Sequence, residues 1–159
     1  MDRTHRPRSR RPRGTATIAL LLAVALVAFS AATALAAKSA PNRSYNGPAG
    51  NAPGAGVEFG AHVKNKHPVS VFRFEYHNIP AQCQGSGLTA TTDKLDGVTM
   101  KLNAKRKFGT KTTLNGGKVT VKVHGRFSKD YSKVSGTLRV QGTVPGCRTA
   151  DTGVVNWHA

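Results

Sequence analysis

The residues best placed for chemistry in this chain are basic. Lys101, Lys122 and Arg126 occupy alternate positions of Val- and Thr-rich segments, with Lys105, Arg106, Lys107, Lys111, Lys118 and Arg139 close by in sequence. Successive side chains of a strand point to opposite faces, so these bases turn away from the apolar set. If the segments 98–102, 108–114, 118–127 and 134–143 are neighbours, the bases form one positive sheet face. Such a face holds an anionic polymer through many weak contacts, and that binding falls steeply with salt. A protective reading competes with it, since lysines on strands discourage edge-to-edge pairing. Specific nucleic-acid binding is disfavoured, because no exposed aromatics interleave with the bases to stack nucleobases.

Other chemistries have thinner support. His62 and His67 flank a turn, Glu75 and His77 lie two apart on one strand, and His124 and His158 fall on further strands. Residues i and i+2 of a strand share a face and could share a metal. Nothing in the sequence brings a third ligand to Glu75 and His77, so a solvent-facing polar stripe is the simpler reading and no metal is expected. Ser86, in Cys83-Gln84-Gly85-Ser86-Gly87, lacks the Gly-x-Ser-x-Gly spacing and the strand-to-helix setting of a nucleophile elbow. Glycoside hydrolysis needs two opposed carboxylates. Beyond residue 37 the acids are Glu58, Glu75, Asp93, Asp96, Asp130 and Asp151, and three of them, Asp93, Asp96 and Asp130, read as turn formers. No enzyme, no catalytic residue and no cofactor is expected. Phe72, Phe74, Tyr76 and Trp157 suit a core better than a sugar-binding platform. Tyr131 is the aromatic placed either to touch a ligand or to cover an end of the domain.

The elements that must position these residues alternate with period two. Phe72, Phe74 and Tyr76 alternate with Arg73, Glu75 and His77; Val98, Met100 and Leu102 with Thr99, Lys101 and Asn103. Val119, Val121 and Val123 alternate with Thr120, Lys122 and His124, and shorter runs surround Leu138–Val140 and Val155–Trp157. This is the pattern of half-buried strands. Asn115-Gly116-Gly117 should close a hairpin between 108–114 and 118–127, since Asn and Gly tolerate positive φ. The polar stretch 128–133 should close a second, between 119–127 and 134–143. About eight short strands, with no helix after residue 37, predict an all-β fold over residues 57–159. The expected form is an antiparallel two-layer β-sandwich, preferred over a barrel.

Cys83 and Cys147 are the only cysteines and show no Cys-x-x-Cys spacing. In an oxidising compartment such a pair forms a disulfide. It would close a loop of about 65 residues and contribute roughly 4 kcal/mol.

That compartment follows from the first 37 residues. Six arginines between Arg3 and Arg13 precede an unbroken apolar run from Ile18 to Phe29, and Ala34-Leu35-Ala36 supplies the small-x-small pattern of a signal-peptidase site. This order predicts a secretory signal peptide over 1–37. Retention of the run as an anchor is the alternative, and is the one route by which the chain would contact a membrane. Residues 38–56, rich in Pro, Gly, Ala and Asn with Tyr45 the lone large apolar residue, predict a disordered linker. Without the leader, 18 bases face 6 acids, a net charge near +12. That charge favours acidic wall polymers and other anionic surfaces, although self-repulsion for solubility also explains it.

Gly125-Arg126-Phe127-Ser128, Ser135-Gly136-Thr137-Leu138, Gly146-Cys147 and Thr152-Gly153 before Trp157-His158-Ala159 form a recurring pattern. It resembles the C-terminal half of small, uncharacterised secreted β-sandwich proteins of high-GC actinobacteria. The resemblance spans residues 57–159 and implies the sandwich, the export and the disulfide. It implies no activity and no binding residue. The expectation is therefore a secreted or surface-associated, monomeric, non-enzymatic domain holding an anionic cell-envelope polymer. The alternative is a structural or protein-interaction domain that docks another exported protein by strand addition.

Overall fold

A computed structural model describes residues 42–85 and 87–159, which fall within one compact unit, Ala40–Ala159. The expected signal peptide, the first residues of the expected linker (38–41) and Ser86 lie outside the described residues.

The remainder of the expected linker is a strand and a tight turn. Asn42–Pro48 forms β1, paired antiparallel with β2 (Gly56–Lys64) from Asn42↔His62 to Pro48↔Gly56. The ordering comes from Tyr45, which is 8% exposed. Its ring stacks on Phe59 at 5.3 Å and meets Phe127 edge-on at 5.2 Å, and its hydroxyl donates to the Tyr131 carbonyl at 3.1 Å. The small residues that read as disorder are needed for close approach. A Cβ at Gly47 would overlap the His158 carbonyl. The domain thus begins before residue 57.

The other strands are β3 (His67–Cys83), β4 (Gly87–Lys101), β5 (Lys107–Leu114), β6 (Val119–Phe127), β7 (Val134–Val144), β8 (Cys147–Asp151) and β9 (Val155–His158). All pairings are antiparallel, in one nine-stranded sheet ordered β1-β2-β3-β8-β7-β6-β5, with β4 also on β3 and β9 also on β7. The described residues are all-β apart from a single 3-10 turn at Asn115–Gly117. Strand β4 runs along one edge of β3, so β2 and then β8 share the other. On β7, β6 takes one edge while β9 and β8 divide the opposite one. A bridge between Ala49 and Trp157 brings β9 against the end of β1.

Two hairpins form where the turn residues predict them. Asn115 and Gly116 take φ of 52° and 67° between β5 and β6, and 128–133 joins β6 to β7. The alternation of β3 is broken, however. Arg73 (φ 49°) and Asn78 (φ 53°) sit at register shifts between Phe72 and Phe74 and between Tyr76 and Ile79. An extra residue at a bulge reverses the facing of what precedes it. Phe74 and Tyr76 are buried as expected, while Phe72 is turned out, its ring stacked on His62 at 4.2 Å.

Phe59 is the hub of the core. Its ring lies within 5.3–6.4 Å of those of Tyr45, Phe74, Phe108, Trp157 and Phe127, which come from five different strands. The Cys83–Cys147 disulfide, with Cα atoms 5.8 Å apart, ties the end of β3 to the start of β8.

Candidate anion-binding face

Strand β6 buries Val119, Val121, Val123 and Phe127, and so turns Thr120, Lys122, His124 and Arg126 outward. The registers on either side align these with like residues. One cross-strand row reads Lys107–Arg126–Ser135, and the next Gly109–His124–Thr137. A third reads Lys111–Lys122–Arg139. Like charges directly opposite each other across strands are destabilising, and this face sets Lys107 against Arg126 and Lys122 between Lys111 and Arg139. Gly109 is required by this packing, for a Cβ there would stand 2.6 Å from Nδ1 of His124.

Asp151 is the acid that answers part of this charge. It enters from β8, opposite Gln141. Arg139 grips it with both prongs, Nε to Oδ1 at 3.0 Å and Nη2 to Oδ2 at 2.6 Å, while Gln141 Nε2 and the Gly153 N–H donate at 3.0 and 2.8 Å. The Arg139 hydrogen bonds hold the Asp151 carboxyl down at about 2, working against its partial desolvation. Arg139 is thus committed to Asp151, whereas Lys107, Lys111, Lys122 and Arg126 have no acidic partner among the described residues.

Three adjoining hollows run along this face. The largest, about 570 Å³, is lined by Arg106, Arg126, Lys129, Lys133, Ser135 and His158, among others. The second, about 350 Å³, shares Arg126 and Ser135 with it and adds Lys107, His124 and Thr137. The third, about 220 Å³, shares His124 and Thr137 and reaches Lys122 and Arg139. From Lys122 to Phe127 a strand covers about 17 Å, so the hollows make a basic track on that scale.

The nine bases singled out by sequence do not all meet here. Lys107, Lys111, Lys122, Arg126 and Arg139 share the face, and Arg106 joins it from the β4–β5 connection. Lys101 belongs elsewhere: its register partner is Ser70, which continues through His62 to Asn42 in a row across β3, β2 and β1. Lys118 is exposed beyond the β5–β6 turn. Lys105 is exposed in a turn organised by Asn103, whose Oδ1 accepts the N–H groups of Lys105 and Lys107. Lys101 thus lies in a different row of the sheet, while Lys105 and Lys118 sit in the turns that flank β5 and β6 rather than in their paired rows.

Lys129 and Lys133 were missed by alternation because they lie on the 128–133 loop. The signal was Ser128-x-Asp130-x-Ser132. Asp130 accepts both serine hydroxyls, at 2.5 and 2.7 Å, and the Ser132 N–H at 3.2 Å. These bonds hold its carboxyl far below the usual carboxylate range. Tyr131 covers this end, packed on Phe127 and His67 at 6.0 and 4.9 Å.

The remaining candidates do not converge. Glu75 faces Glu58 on one side and Lys94 on the other, and His77 faces Gly56. Among the described residues no group of three or more His, Cys, Asp or Glu could hold a metal. Tyr76 is a core phenol: burial, then the Asp93 charge, pushes its pKa up to about 12, with Thr91 acting the other way, and among the described residues its hydroxyl makes no well-formed hydrogen bond. Among the described residues no helix is long and apolar enough to cross a membrane. No protein-family model, curated protein or solved structure matches the chain.

Proposed function

We propose that this is an exported, non-enzymatic domain that holds an anionic cell-envelope polymer along the β5–β6–β7 track. The observation that carries the reading is the register, which lines Lys111 up with Lys122 and Lys107 with Arg126 without an acid between them. A fold gains no stability from that arrangement, whereas a polyanion lying across it would relieve the repulsion. Export is supported by the leader-like first 37 residues, by the Cys83–Cys147 disulfide, and by the resemblance to secreted actinobacterial proteins. The same reading takes the curled sheet as a flattened two-layer sandwich, supported by rings of β2 and β3 meeting rings of β5, β6 and β9.

Depletion of the oxidised protein from solution by purified cell walls tests the proposal, at low and high salt and with walls stripped of anionic polymer. Depletion at low salt, reversed by salt or by stripping, is the expected result. A protein that stays in solution throughout, or that binds stripped walls equally well, contradicts it.

A further inference from the structure

We infer that the hollow at the Arg106 end of the track is an anchoring subsite for a phosphate monoester at the end of the polymer. The inference rests on the polymer-binding reading and adds the identity of the group bound first. Its basis is an uneven distribution of charge. Arg106, Arg126, Lys129 and Lys133 line one hollow of about 570 Å³ together with His158, and among the described residues no Asp or Glu lines it. Farther along, the bases are spread over successive rows and Arg139 is already bound to Asp151. A polymer with evenly spaced charges does not call for such a gradient. A doubly charged end does.

Arg106 is fixed at this end of the track by backbone and side-chain bonds. Its backbone takes φ of 60° in a turn where its N–H donates to the Asn103 carbonyl at 2.9 Å. It is secured to Phe127 twice: the Phe127 N–H donates to the Arg106 carbonyl at 3.1 Å, and Arg106 Nε donates to the Phe127 carbonyl at 3.4 Å. Anchoring through Nε leaves the terminal nitrogens of the guanidinium for a ligand, in the fork that matches two oxygens of a phosphate.

The 128–133 loop supplies two of the four bases that line the hollow. Ser128 and Lys133 close it by paired bonds, the Ser128 N–H to the Lys133 carbonyl at 2.9 Å and the Lys133 N–H to Ser128 Oγ at 3.0 Å. Its acid, Asp130, stays ionised but is held by Ser128 and Ser132 and does not line the hollow, while Lys129 and Lys133 do. A terminal carboxylate would bring one charge and two oxygens. A phosphate monoester brings about −1.5 to −2 and three strong acceptors, the better match to four bases.

The test uses two synthetic oligo(glycerol phosphate) chains of equal length, one ending in a phosphate monoester and the other dephosphorylated to a hydroxyl. Binding of each to the oxidised protein is measured by calorimetry at one fixed salt concentration. The monoester chain should bind about tenfold more tightly. Arg106→Gln and, separately, Lys133→Gln should collapse that preference, whereas Lys122→Gln should weaken both chains alike. Equal affinity of the unmodified protein for the two chains overturns the end-group inference and leaves the track standing. Binding of neither chain removes both. If Arg106→Gln lowers the melting temperature enough to compromise folding, Lys133→Gln decides: a retained preference overturns the inference.

Discussion

Asp151 controls how much of the charge on β7 is offered to a ligand. Its two bonds to Arg139 make a bidentate pair at the border of the track. Asp151→Asn should therefore strengthen binding to a polyanion and steepen its salt dependence, because a guanidinium is released. The same change should lower the thermal midpoint only slightly, since the pair is more than a third exposed. Weaker binding by a folded Asp151→Asn protein would contradict this assignment. Acid should act in the same way. The folded carboxyl titrates at about 2, below the unfolded value of about 3.9. Its contribution to stability is thus complete above the unfolded value and is lost as pH falls through the folded one. Alternation in the sequence identified Arg139 as an outward base. It could not identify Asp151 as the partner, because a bulge between Gly142 and Val144 shifts the register of the short β7–β8 hairpin.

At the scale of elements, legibility followed locality. The β5–β6 and β6–β7 hairpins could be read because each is closed by its own turn residues and each strand alternates without interruption. The bulges of β3 could not, and Phe72 was assigned to the wrong face as a result. Strand β1 was hidden for a different reason: its composition is that of a spacer, and a single residue, Tyr45, reverses the balance through partners far along the chain. Tyr45→Ala should cost about 3–5 kcal/mol, the range for deleting a buried aromatic ring, read as a shift in the urea midpoint. No shift would mean that residues 42–48 behave as the linker their composition suggests. The lysines of the 128–133 loop were likewise invisible to alternation, although the serine-flanked aspartate that shapes the loop is plain in the sequence.

Across the whole molecule, one long strand and one covalent bond hold distant segments together. Strand β3 carries β2, β4 and β8, and the disulfide joins residues 64 apart at the point where β8 takes over from β2. Replacing Cys83 and Cys147 together by Ala should cost about 2–4 kcal/mol, measured by denaturant unfolding. An unchanged midpoint would show that the ladders alone fix β8. The +12 of the chain beyond residue 37 was evident from composition, yet composition gave no indication of its placement. Register supplied that, gathering six of the nine expected bases, Arg106 among them, onto one track and sending Lys101 elsewhere. The most direct measurement is adsorption to purified walls over a range of salt, for the unmodified protein and for Lys111→Gln/Lys122→Gln. A linear fall of log K with log salt is expected. The double variant's slope should be shallower by about 1.4, or about 0.7 for each phosphate of a flexible chain that a lysine no longer neutralises. Identical slopes, or adsorption indifferent to salt, would contradict a function carried by this face.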